Sequence, residues 1–133
     1  MKIPANAHVA VVDGERFVLM RNAGTVADAK LAHVDDPSLD GEDESGAHGH
    51  NDPRSDDYRT QEKLDHAASV ASWLNRAVLQ HRIESLIIVA DPDTMGELRR
   101  HYHTALQDVL VGELAKQLTG MPGPDILKAI EAA

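Results

Sequence analysis

No cysteine occurs anywhere in the 133 residues, so disulfides, thiolate metal centres and a cysteine nucleophile are all excluded. Aromatic side chains are nearly as scarce, at 3%, while hydrophobic residues as a whole reach 42%. The core must therefore be filled by Val, Leu, Ile and Ala, and a platform of rings for stacking unpaired bases is disfavoured. Phe17, Tyr58, Trp73 and Tyr102 stand out for the same reason. No apolar run approaches the roughly 20 residues needed to cross a bilayer. The opening Met1-Lys2-Ile3-Pro4-Ala5-Asn6 lacks the apolar stretch of a secretory signal, and a cytoplasmic location with no membrane partner is expected. Gly-x-Ser-x-Gly, phosphate-loop and dinucleotide fingerprints are also missing, so no organic cofactor is expected.

The length suits one domain spanning residues 1–133. The net charge of −9 is unevenly spread: nine carboxylates and a single cation, Arg54, lie between Asp35 and Asp57. That stretch has Gly, Pro, Ser and Asn, with Leu39 as its only large aliphatic residue, and reads as an acidic mobile loop at about 36–60. The rest of the chain is near neutral. A global charge argument against nucleic-acid binding is therefore weak.

Around that loop the hydrophobic pattern alternates between two periods. His8-Val9-Ala10-Val11-Val12 and Phe17-Val18-Leu19-Met20 read as strands joined by a two-residue Asp13-Gly14 turn. A third short strand is expected over Ala29 to Val34. Leu64, Ala67, Ala71, Leu74 and Val78 form a helical stripe within 62–81, with Trp73 at the edge of its polar face. The β-branched run Leu86-Ile87-Ile88-Val89-Ala90 suits a strand buried on both faces. A capping box, Thr94-Met95-Gly96-Glu97, opens a helix whose stripe continues through Leu98, Tyr102 and Ala105. Residues 109–114 are open to either period. Gly112 favours a strand there, and Pro122-Gly123-Pro124 then starts a last helix. The order β-β-β-α-β-α-β-α predicts an α/β fold with a mixed five-stranded sheet of the ribonuclease-H-like or related kind.

That topology would set the ends of the first strand and of the strand after the long helix side by side. Asp13 and Asp91 stand at those ends. They are candidates to hold Mg²⁺ or Mn²⁺ for phosphodiester hydrolysis, or simply turn-forming residues. Asp36-x-Ser38-x-Asp40-Gly41 matches the opening of an EF-hand loop, but Ala47 stands where the closing Glu belongs. His48 and His50 with His66 could bind a transition metal, or remain solvated. Arg99, Arg100 and His103 make a basic cluster suited to phosphates, with Arg99 and His103 four apart on one helix face; the plainer reading is a solvated face. Trp73 is either covered by a neighbouring element or an anchor for a protein partner.

Val9-Ala10-Val11-Val12-Asp13-Gly14 with Arg21-Asn22, Ile87-Ile88-Val89-Ala90-Asp91-Pro92, Thr94-Met95-Gly96-Glu97-Leu98-Arg99-Arg100-His101 and Lys116-Gln117-Leu118-Thr119 together resemble the bacterial host-attachment family, proteins required for attachment to host cells. The most specific part is the Thr-x-Gly-Glu-Leu-Arg segment. That family is similar in fold to the middle domain of archaeal and eukaryotic peptide release factors, and the resemblance implies a ribosome-related role. The release-factor domain carries Gly-Gly-Gln in the loop before its long helix. This chain has Gly46-Ala47-His48-Gly49-His50-Asn51 there, so release chemistry does not carry over.

The sequence thus predicts a non-enzymatic or weakly catalytic cytosolic factor that binds RNA or the translation machinery. A metal-dependent nuclease using Asp13 and Asp91, and an interaction module whose acidic loop docks a basic protein, are the alternatives.

Overall fold

Strand pairing accounts for most of the architecture. A computed structural model of the chain describes residues 1–34, 37, 39 and 56–133, with side chains of the long helix from Arg59 onward. The elements are β1 (His8–Val12), β2 (Phe17–Asn22), β3 (Leu31–His33), α1 (Asp56–Leu79), β4 (Leu86–Ala90), α2 (Pro92–Arg99), α3 (Thr104–Val109), β5 (Leu110–Ala115) and α4 (Gly123–Ala132). One mixed sheet of five strands runs β3-β2-β1-β4-β5. β1, β2 and β3 form an antiparallel meander, and β4 and β5 extend it in parallel from β1.

The continuous apolar runs of β1 and β4 follow from covering the sheet on both faces. Side chains alternate in direction along a strand. Ala10, Val12, Leu86, Ile88 and Ala90 therefore enter one core with Leu74 of α1, Met95 and Leu98 of α2 and Leu106 of α3. Val9, Val11, Ile87 and Val89 enter a second core with Ile126 and Ile130 of α4 and with Ile3 and Ala7 ahead of β1. No helix among the described residues is long and apolar enough to cross a membrane.

Three local readings change. The turn after β1 takes four residues, because Asp13 N–H donates to the Arg16 carbonyl at 3.0 Å and Val12 pairs with Phe17. α1 begins at Asp56, so the last residues of the segment read as a loop are helical; most of the remainder, with the EF-hand-like opening and with His48 and His50, lies outside the described residues.

The helix expected to run from a Thr94 cap through Ala105 starts earlier, at Pro92 with Asp91 and not Thr94 as its cap, and it is two. Asn75 of α1 accepts from His103 N–H at 2.9 Å and donates to the His101 carbonyl at 2.8 Å. His103 Nδ1 accepts from Ala105 N–H and caps α3. These bonds offer the backbone an alternative to continuing the helix. The element order is therefore β-β-β-α-β-α-α-β-α, and Arg99 and His103 do not share a helix face. Residues 109–114 divide after Val109, with β5 taking the rest.

His8 carries a pH prediction. Its Nδ1 is shut off from solvent with no hydrogen-bond partner among the described residues. Burial, and then the charge of Arg21 across the hairpin, hold its pKa below the ordinary 6.5. The native state favours neutral His8, so the unfolded chain binds the proton more tightly. The stability contribution is complete above pH 6.5 and declines as pH falls below it. Melting temperatures of wild type and His8→Val should therefore diverge between pH 7 and pH 5, with the wild type losing more; parallel curves would refute the assignment.

Candidate functional site

In open α/β sheets, ligands bind beyond the carboxyl ends of parallel strands, where chain connections diverge to either side. β1 and β4 make such a place here: β1 leads by its hairpin toward one edge of the sheet and β4 toward the other. A cleft of about 830 Å³ opens at their ends. The β1–β2 loop supplies Asp13, Gly14, Glu15 and Arg16, α1 supplies Thr60, Lys63 and Leu64, the start of α2 supplies Asp91, Asp93, Thr94 and Glu97, and Gln117 closes the rim. Five of these residues are acidic and two are basic. Such a lining resists polyphosphate ligands and leaves a nucleic-acid backbone to find another face.

Parallel pairing does bring Asp13 and Asp91 to the same cleft. Asp13 is nevertheless committed to the protein itself. Its Oδ1 accepts from Glu15 N–H at 2.7 Å and Arg16 N–H at 2.6 Å. Its Oδ2 accepts from Arg16 Nε at 3.0 Å, Gln117 Nε2 at 3.1 Å and Thr119 Oγ1 at 2.5 Å. Burial raises the carboxyl pKa, but the bonds from Thr119, the two backbone amides and Gln117 outweigh it and leave the group well below the usual range. A cation at Asp13 would have to displace donors already in place.

Asp91 divides its two oxygens. Oδ2 accepts from Thr94 N–H at 3.2 Å and caps α2, while Oδ1 is buried with no hydrogen-bond partner among the described residues. No group of three His, Asp or Glu side chains among the described residues is placed to hold one metal ion. His66 lies nearby with its Nε2 3.1 Å from the Arg16 carbonyl.

The basic cluster is ordered by carboxylates behind it. Arg99 meets Glu113 of β5 through Nε at 3.0 Å and Nη2 at 2.8 Å, and Glu113 also accepts from Tyr102 Oη at 2.8 Å. Burial and that carboxylate together push the Tyr102 phenol well above its ordinary pKa. Arg100 lies 3.7 Å from Glu97, which also pairs with His101 at 2.9 Å. His103 is turned to its capping role. Trp73 packs edge-on to Phe17 with centroids 5.6 Å apart, and the Arg82 guanidinium lies 5.3 Å from its ring centroid.

Several of these partners have no local signature in the sequence. Nothing around Gln117 or Thr119 announces that they close on Asp13 from over a hundred residues away, and Lys63 reaches the cleft only because α1 crosses the β1–β2 loop, its stem lying against Gly14. The buried Asn22 is the other hub. It donates to the carbonyls of Ile3, Pro4 and Thr25 and accepts from Gly24 and Lys30 N–H.

The chain is thus an α/β domain built on a mixed five-stranded sheet, with a cleft at the ends of β1 and β4. It belongs to bacterial archaeo-eukaryotic release factor family 12, whose family model matches residues 6–130. No curated protein matches the chain.

Proposed function

We propose that this protein is a cytosolic factor that binds RNA or the translation machinery and is non-enzymatic or at most weakly catalytic. The observation that carries this reading is the family match, which spans residues 6–130 and so covers nearly the whole chain. The missing Gly-Gly-Gln argues against peptide release as its chemistry. The acidic cleft is unsuited to a phosphate backbone, whereas Arg99 and Arg100 stand exposed at the end of α2. A role in host attachment, as the resembling proteins suggest, would then be a downstream consequence of altered translation.

The nuclease alternative draws support from the meeting of Asp13 and Asp91 at one cleft, but the five donors on Asp13 count against it. Most of the acidic segment, the docking element for a basic protein in the other alternative, lies outside the described residues.

Co-sedimentation with ribosomes tests the main reading. Charge-assisted hydrogen bonds contribute enough that Arg99→Ala with Arg100→Ala should weaken binding by roughly tenfold or more. Arg99→Ala takes a 2.8 Å partner from Glu113, whereas the Arg100–Glu97 contact is longer at 3.7 Å and Glu97 keeps His101, so Arg100→Ala alone is the cleaner variant, and it should reduce both affinity and the salt dependence. Wild-type protein that stays in the supernatant at low salt would refute the reading.

A further inference from the structure

Among the described residues, Gly96 meets nothing that requires it to be glycine. It sits inside α2, where glycine is the poorest residue after proline. Its backbone has no positive φ. A Cβ built on it would meet nothing within 4 Å among the described residues. Other glycines differ: a Cβ on Gly24 would run into the Asp28 carbonyl, and Gly120 has φ +85. The local forces at position 96 therefore favour almost any other side chain.

The neighbours of Gly96 indicate what a bare helix surface would serve. Three and four residues on, Arg99 and Arg100 stand on the same face. All three are exposed, while Thr94, Met95 and Leu98 turn into the protein. The carboxylates that pair with the two arginines lie inward: Glu113 and Glu97 side chains are 19% and 14% exposed, against 58% and 76% for Arg99 and Arg100. A ligand approaching from solvent meets the guanidinium groups first, with the carboxylates holding them in place. Arg99 spends Nε and Nη2 on Glu113, which leaves other N–H donors of its guanidinium to face outward. Asp93, also exposed on this face, confines an anion to the Gly96–Arg100 half.

We propose that the exposed face of α2 from Gly96 to Arg100 seats an RNA backbone, with Gly96 admitting sugar and phosphate against the bare helix and Arg99 and Arg100 contacting the flanking phosphates. This rests on the RNA- or ribosome-binding reading above and names the surface and the partner. A protein partner is the competing occupant.

The test compares wild type, Gly96→Ala, Gly96→Gln and Arg99→Ala with Arg100→Ala for binding to intact ribosomes and to ribosomal RNA stripped of protein. Alanine and glutamine are better helix formers than glycine, so both Gly96 variants should melt about 2–5 °C higher than wild type. They should nonetheless bind both probes at least fivefold more weakly, glutamine more so than alanine. Gly96 variants that bind like wild type while the double arginine variant loses binding would overturn the close-approach proposal and leave the broader reading standing. Binding to ribosomes but not to stripped RNA would assign the face to a ribosomal protein and also overturn it. No binding of wild type to either probe would remove the broader reading, and this proposal with it.

Discussion

Asp13→Ala is expected to destabilise the fold by about 3 kcal/mol, a large share of the total for a domain of this size. The side chain is 10% exposed and receives five hydrogen bonds. Removing it strands two backbone amides of the β1–β2 loop and takes the shared acceptor from Thr119 and Gln117, leaving the Arg16 Nη2 bond to Thr119 Oγ1 at 3.0 Å to tether the segment between β5 and α4 to that loop. Arg16 is 55% exposed and can return to water, which keeps the cost toward the lower end for a broken buried pair. The melting temperature should drop by roughly 10 °C. Asp13→Asn is a poor rescue, because an amide in place of Oδ2 would point N–H groups at the Arg16 and Gln117 donors, leaving only the Thr119 hydroxyl able to turn and accept.

The same carboxylate sets part of the acid limb. Its native pKa lies below the ordinary 3.8, so the unfolded chain binds the proton more readily. The stability it contributes is fully present above pH 3.8 and is lost as pH falls below that value toward the depressed native one. Asp13→Ala should be less stable than wild type at pH 7, with the gap narrowing below pH 4. Chemical denaturation at both pH values measures this; a gap that stays constant would mean that Asp13 acts without its charge.

The parts of the fold set by repeating patterns could be read directly. Continuous apolar runs located β1, β2 and β4, because both faces of the sheet demand apolar cover, and the stripe from Leu64 to Val78 located most of α1. The break between α2 and α3 was hidden because Tyr102 and Ala105 still pack on the same core that a continuous helix would have reached. What interrupts it is a side chain twenty-eight residues from His103, Asn75, and its preference for those backbone groups has no local sequence signature.

The site divides along the same line. The meeting of Asp13 and Asp91 followed from topology, since a parallel β1–β4 pair necessarily aligns their carboxyl ends. Whether those carboxylates are open or occupied depends on Gln117, Thr119 and Arg16, whose approach to Asp13 is a tertiary fact. The segments that carry the family resemblance are in large part these structural hubs: Asp13, Asn22, Glu97 and Thr119 all spend their polar groups inside the protein. Resemblance therefore located the fold better than it located a reactive group, and Gly96, which spends nothing inside, is the exception within its segment.

Asn22 offers the sharpest test of that division between structural hubs and functional surface. It is fully buried, and its amide joins the chain ahead of β1 to the turn between β2 and β3. Asn22→Ala leaves the Gly24 and Lys30 amides and up to three carbonyls without their partner, and should cost about 2–4 kcal/mol. Asn22→Asp keeps the acceptor for the two amides but sets the second carboxylate oxygen against the Ile3, Pro4 and Thr25 carbonyls. Only the protonated acid could donate there, so the native state would bind the proton more tightly than the unfolded chain. That variant should then be most stable below the ordinary carboxylate pKa of roughly 3.9 and weaken as pH rises above it, a trend opposite in sign to that of Asp13. Denaturation midpoints of Asn22→Asp at pH 4 and pH 7, referenced to Asn22→Ala, isolate the effect from the rest of the titrating groups. A variant that loses this stability while the protein that remains folded still binds ribosomes would assign Asn22 to the scaffold; loss of binding at unchanged stability would overturn that assignment.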